Sequence, residues 1–389
     1  MAVKGVFASH QNVVGSRKGD FASGLLQTMP TGTAPLFALT SGMKSRDATE
    51  TIVTWFEETK LSGRVNVTNN ATTGVTLTID DISQIRPGDI LLVEATGEYV
   101  FVDSISGSDA TVVRAYAGSN TSINGSSEPV PVQRITNAVE EGSSKPDGIA
   151  NVGFPNWNYM QIVRDAWDVT GSAKAIDYHT GDLVAKNRAD CLFLHGENIE
   201  RAFIWGVRGI GSRNGKSYRT MAGIKQQLVT NQASQSTNTS WIDVRTFFQD
   251  VFTYNVKGLP NERIAFCGNT VVAVVEDMAR LDSQINITPG QTEFGMEIFT
   301  LRTPFGTVKL MTHPLFTESP LFTEDLLVIH PGVIEVRYLR RTVIDDYDKN
   351  GTRAGVDADF GVATTELTVT YGAERTGGYY TGIDTAVAS

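Results

Sequence analysis

Five residues between positions 346 and 357 carry the spacing of a calcium-binding loop. Asp346, Asp348 and Asn350 offer a side-chain oxygen at every second position, Gly351 permits a sharp turn, and Asp357 stands where the closing ligand belongs. Hard oxygen donors in this register suit a divalent cation such as Ca2+. Three features oppose it. Arg353 replaces the usual aliphatic residue, Asp357 is one carbon shorter than the usual Glu, and the preceding VIEVRYLRRTVI reads as extended rather than helical. The plainer reading is a polar turn between strands. Asp346, Asp348, Asn350 and Asp357 are the candidate metal ligands, and no other cofactor is expected.

Nucleophilic chemistry finds less support. Cys191 and His195 sit four apart, within reach on a helix, as a thiolate–imidazole pair or half a metal site requires. Both also fall on an apolar stripe, where a cysteine packs as a small hydrophobe. The stretch GIGSRNGKS (209–217) imitates a phosphate-binding loop, but the glycine needed five residues before Gly215 is Ile210. It follows a helix rather than opening one, so no helix N-terminus faces a phosphate. A flexible, basic interface loop is the expectation. Glu57/Glu58 and Glu140/Glu141 are adjacent, which does not set two carboxylates face to face, and no G-x-S-x-G elbow occurs. The chain is expected not to be an enzyme.

Composition bounds the rest. The 389 residues are 41% hydrophobic, enough for sizeable cores in two or three domains. A formal charge of -10 argues against a free-standing nucleic-acid binder, which would carry a basic stripe. Cys191 and Cys267 alone give no disulfide framework and suit a reducing cytosol. MAVKGVFASHQNVVG has no apolar core of signal-peptide length, and no 18-residue apolar run occurs, so no membrane association is expected.

The element that must position these residues is the stretch 181–207, GDLVAKNRADCLFLHGENIERAFIWGV. Asp182 is its N-cap, and a helix over 182–207 follows, roughly 40 Å long at about 1.5 Å per residue. Val184, Cys191, Leu192, His195, Ile199, Ala202, Phe203 and Gly206 share one side, with Lys186, Asp190, Glu197 and Glu200 opposite. Phe193, Leu194, Ile204 and Trp205 lie outside the stripe, so one core cannot hide every apolar side chain. Gly196 costs on the order of 1 kcal/mol against Ala and implies a close neighbour there. The expectation is a spine clamped from several directions, another subunit among them.

Around it the chain falls into blocks. Residues 1–50 read as an extended arm with apolar anchors Leu25, Leu36 and Phe37, and 51–58 alternates as a strand. Residues 62–136 are short β segments between turns at 86–89, 96–97 and 107–109, a small barrel or sandwich inserted in a longer excursion, 51–169. Ser240 caps a further helix, 263–266 reads as a strand, 269–281 as a helix, 303–306 as a hairpin turn and 326–329 as a strand. Thus 235–340 is a second α/β unit. The segment 341–389 returns as strands and a glycine-rich tail.

This α+β order resembles the Hong Kong 97-like fold of tailed-phage major capsid proteins. The resemblance rests on Pro30, Ala34-Pro35-Leu36 and Thr54-Trp55-Phe56-Glu57, on YMQIV and DVTGSAKAIDYHTG, on ENIERAFIWG, and on the final ELTVTYGAERTGGYYTGI. It implies an arm (1–50), an extended loop region (51–169) carrying the barrel-like insertion, a peripheral domain (170–234) with spine helix 182–207, an axial domain (235–340) and returning strands (341–389). It further implies hexamers and pentamers closing an icosahedral virion shell around double-stranded DNA held without sequence-specific contacts. The shell would be synthesised in the host cytoplasm, with scaffolding, portal and cement or decoration proteins as partners. Some relatives weld subunits through a Lys–Asn bond, for which Lys145 and Asn350 are the candidates. Two other readings are an encapsulin-type nanocompartment shell and a calcium-binding virion adhesin or tail module.

Overall fold

The computed structural model describes residues 45–387 except 59, 72–73, 120, 126–127, 144, 147, 150, 177–181, 236–237, 282–286, 294–295, 348–356 and 385; for 279–281, 287–293, 296–298, 347 and 386–387 it describes the backbone alone. Most of the arm, with its anchors and Pro30 and Ala34-Pro35-Leu36, lies outside the described residues. The chain divides into two compact units, one being Phe56–Asn156 and the other the residues on either side of it.

Phe56–Asn156 is built on a six-stranded antiparallel sheet in the order Arg64–Val67, Val130–Asn137, Asp89–Val93, Tyr99–Ser106, Asp109–Ala117, Thr76–Thr78. A bridge from Val67 to Ile79 ties the first edge to the chain leaving the last, so the sheet is a near-closed barrel. Alternation fills its interior: Val65, Val67, Leu77, Leu91, Val93, Val100, Val102, Val112 and Val132 are buried together. Turns fall where expected, and Gly88 (φ 88) could be nothing else, since a Cβ would sit 2.7 Å from the Ala138 carbonyl oxygen.

The larger unit holds two sheets. Four strands run in the order Ser45–Asp47, Ile334–Tyr347, Ala358–Tyr371, Gln161–Thr170, the first pair parallel and the others antiparallel. The boundary expected at 340 falls inside Ile334–Tyr347. Seven strands form a mixed sheet in the order Gln232–Ser234, Gly378–Thr381, Leu326–Ile329, Glu262–Cys267, Gly306–Thr312, Met296–Thr303, Ile287–Glu293. The helices Trp241–Thr253 and Asn269–Leu281 pack on it through Val244, Phe248, Val251, Val271 and Met278. Ser240 and Asp243 close a capping box at the first of these helices.

The long helix runs Leu183–Trp205, with Ile199, Phe203 and Ile204 in a core shared with Val336, Leu367 and Val369 of the four-stranded sheet. Three expectations about it change. Ile204 is fully buried, because the chain beyond the helix folds back beneath it through Met221 and Ile224. Glu200, placed on the polar side by the helical wheel, is also fully buried. A Cβ on Gly196 would meet nothing of its own chain within 4 Å, so the close approach within the chain is not there. It occurs at Gly206, where a Cβ would lie 2.4 Å from the Ala202 carbonyl oxygen and 2.9 Å from that of Met221.

Candidate functional site

The long helix gathers most of the residues singled out for chemistry. Asp182 opens it, Oδ1 accepting from the amides of Val184 (2.9 Å) and Ala185 (3.4 Å). About two and a half turns further along, Cys191 packs against Trp167 and Val169. Burial, reinforced by the charge of Asp165, pushes its thiol above the ordinary range, the reverse of an activated thiolate. Burial does the same to Cys267.

His195 turns away from Cys191. Nδ1 lies 2.6 Å from Asp165 Oδ2 and Nε2 2.8 Å from Thr365 Oγ1. The Thr365 hydroxyl in turn donates to Thr342 Oγ1 at 2.8 Å. Both ring nitrogens are thus engaged, one by a carboxylate and one by a hydroxyl, and neither is free to act on a substrate. The ring ties the helix to two strands of the four-stranded sheet.

Glu200 and Trp205 extend the anchoring in another direction. His313 Nδ1 accepts from the Leu315 amide (3.2 Å), so Nε2 carries the proton and donates to Glu200 Oε1 at 2.7 Å. Trp205 Nε1 donates to the Tyr379 hydroxyl (3.1 Å), which donates to Asp325 Oδ2, while Lys225 Nζ stands 4.1 Å from the centre of the Tyr379 ring. Burial raises the Asp325 carboxyl above the ordinary range against the pull of that hydrogen bond. These polar groups fasten one rod to two sheets.

Past Gly206 the chain forms a hairpin, Gly209–Arg213 paired with Lys216–Thr220, where a flexible loop was expected. Asn214 and Gly215, both at positive φ (53° and 72°), make the two-residue turn between two five-residue strands. The backbone groups of GIGSRNGKS therefore enter a ladder rather than cradling a phosphate. At the hairpin base, the Gly223 amide donates to the Gly206 carbonyl (2.7 Å), and a Cβ on Gly223 would lie 2.5 Å from the Gly206 nitrogen. Asn158, wholly buried, donates to the carbonyls of Ala222 and Val369 and accepts from the Ala222 amide. Arg208 stacks 3.9 Å over Trp157 and donates to its carbonyl at 2.7 Å.

Of the four candidate calcium ligands, Asp346 and Asp357 are among the described residues. Asp346 Oδ2 takes an ion pair from Arg188 Nη2 at 2.9 Å. The Asp357 carbonyl accepts from the Gly171 amide, and its carboxylate lies against Gly171. Asp348 and Asn350 lie outside the described residues, and with them the Lys145–Asn350 pairing. Among the described residues no three His, Cys, Asp or Glu side chains cluster to hold a metal, and no helix is long and apolar enough to cross a membrane.

Rod, barrel and mixed sheet make a structural body, and comparison with known proteins says which one. The profile described as SU10 major capsid protein matches residues 5–384. The chain belongs to that family. An SU10-family chain is the major capsid protein of a tailed double-stranded-DNA phage, the subunit of an icosahedral virion shell, and has no catalytic role. The major capsid protein of Pseudomonas phage PaMx41 is 27% identical over 386 residues, 93% of this chain and 91% of that one. The capsid of a native GTA particle, computed with C5 symmetry, shares 7% identity over 98% of this chain and 99% of its own, with a TM-score of 0.50. That likeness is one of fold, the Hong Kong 97-like fold. The holo-SrpI encapsulin complex of Synechococcus elongatus PCC 7942 gives a TM-score of 0.45 at 11% identity, over 61% of this chain and 78% of that one.

Proposed function

We propose that the SU10-family chain builds its shell from hexamers and pentamers, with Leu183–Trp205 as the spine of a peripheral domain (170–234 with returning strands 341–389) and 235–340 as the axial domain around the symmetry axes. The arm (1–50) and excursion (51–169) lie over adjacent copies, and the barrel (62–136) stands on the outer face, where it does not compete with the genome for volume. The observation supporting this is apolar surface that the chain leaves uncovered. In the excursion Phe56 is 76% and Val152 82% exposed, with Phe154 also open; on the spine helix Leu194 is exposed. Isolated exposed apolar residues are ordinary, but several large ones along one excursion mark an interaction surface. Packaged duplex DNA is held without base recognition, as the acidic balance implies. Scaffolding, portal and cement proteins are the further partners of such a shell.

Electron microscopy and sedimentation of the purified chain test the assembly. Rings or closed particles are the expected result; a compact monomer at high concentration overturns it. The cation site at Asp346, Asp348, Asn350 and Asp357 rests on oxygen spacing alone, and titration calorimetry with Ca2+ showing no heat removes it.

A further inference from the structure

The hairpin Gly209–Thr220 receives little support from its own chain. Its register sets Arg213 directly opposite Lys216, and like charges so placed on neighbouring strands destabilise each other. Neither has an ion-pair partner among the described residues. From Arg208 to Thr220 there are four cations and no acid; Arg208 stacks on Trp157 and Arg219 pairs with Glu366 at 3.8 Å, which leaves Arg213 and Lys216 at the tip. Both faces meet solvent. Tyr218, 54% exposed, covers Gly211, where a Cβ would come within 2.5 Å of its ring, and Ile210, 64% exposed, points to the other side. A two-stranded ribbon open on both faces is marginal in water. This one is nevertheless firmly aimed, by the Asn214-Gly215 turn at its tip and by the Gly206–Gly223 crossing at its base.

The unit Phe56–Asn156 has the opposite character. It contains thirteen acidic and six basic residues, and so carries -7 of the chain's -10. Glu140 and Glu141 are exposed, have no ion-pair partner among the described residues, and follow an exposed Val139.

We propose that the hairpin of one copy docks on the acidic 56–156 unit of a second copy, with Arg213 and Lys216 meeting Glu140 and Glu141 and with Tyr218, on the same face, on that unit's exposed apolar side chains. This rests on the shell reading above. Duplex DNA would also neutralise the cations, but it would leave Tyr218 in water and the acidic unit unmatched. A protein surface carrying both acid and apolar side chains answers all of these.

Charge reversal in the full-length chain tests it. Arg213→Glu alone puts opposite charges across the strand pair, so the unassembled chain should melt no lower than wild type. Half-assembly should nevertheless need about tenfold more protein, one interfacial charge pair being worth roughly that factor. Wild-type assembly should itself weaken with added salt. Arg213→Glu/Lys216→Glu and Glu140→Lys/Glu141→Lys should each assemble poorly, while an equimolar mixture of the two recovers six-membered rings, in which alternating copies restore every contact. Variants that assemble like wild type overturn the proposal, as does a mixture no better than its components. So does an Arg213→Glu chain that assembles normally but loses affinity for a short DNA duplex, which makes DNA the partner. Only a wild-type chain that stays monomeric also overturns the shell reading.

Discussion

The inserted barrel and the hairpin after the long helix are both antiparallel β, yet they treat charge in opposite ways. In the barrel, Arg114 and Glu98 are almost wholly buried and meet at 2.8 Å. The Glu98 carboxylate also accepts from the Ala115 and Thr121 amides, and Arg114 donates to the carbonyls of Ala71, Gly74 and Thr121. Burial would raise the Glu98 carboxyl, but Arg114 and those amides hold it below the ordinary range. In the hairpin, Arg213 and Lys216 stand side by side in solvent. A unit that folds for itself pairs its charges inside; a unit that folds for a partner displays them.

The strongest attempt to break this contrast is Arg114→Ala. It leaves Glu98 buried without a counter-charge and should cost about 3–5 kcal/mol. Hydrogen exchange confined to 64–137 reads it, and a loss near zero would make the barrel's interior charge as dispensable as the hairpin's.

Acid comes next. Burial, then the charge of Arg263, pushes His330 in the larger unit down to about 4. The unfolded chain takes up that proton near the ordinary histidine value while the folded one refuses it. The larger unit should therefore lose up to roughly 3 kcal/mol as pH falls from about 6.5 to 4. His330→Asn, which keeps an acceptor for the Gly332 amide, should abolish that loss. The contribution of Glu98 is present above the unfolded carboxylate value and is lost only as pH falls through its lowered folded value. On acidification, the larger unit should thus soften before the barrel, as exchange followed in each unit would show.

The smallest effect sharpens the contrast from the other side. Ile210→Ser removes an exposed side chain and should move the melting free energy of the unassembled chain by no more than about 0.5 kcal/mol. A larger destabilisation would mean that the hairpin is packed by its own chain after all.

Much of the scaffold could be read from local chemistry. The cap at Asp182, the box at Ser240, the helix Asn269–Leu281 and the strand Leu326–Ile329 stand where capping residues and apolar runs put them. Turn residues and alternation gave the barrel. The hairpin was legible too, since Asn-Gly between two short runs is a strong turn signal, but its glycines and cations read first as a loop. The anchors were not legible. Glu200 meets His313 from 113 residues away and His195 meets Thr365 from 170, and a helical wheel contains no partner at such range. Gly196 and Gly206 look alike in sequence; only the returning chain at Met221–Gly223 shows which of them must be glycine.

The barrel's two ends are neighbours. Arg64 at its start is registered against Gln133 near its finish, and the Arg134 amide donates to the Gly63 carbonyl at 2.8 Å. A segment that begins and ends on adjacent strands asks its host for only two attachment points one strand spacing apart. It can be lengthened, trimmed or exchanged for another domain with the same footprint. The excursion is thus a socket, and its inserted module can vary while the host fold stays the same.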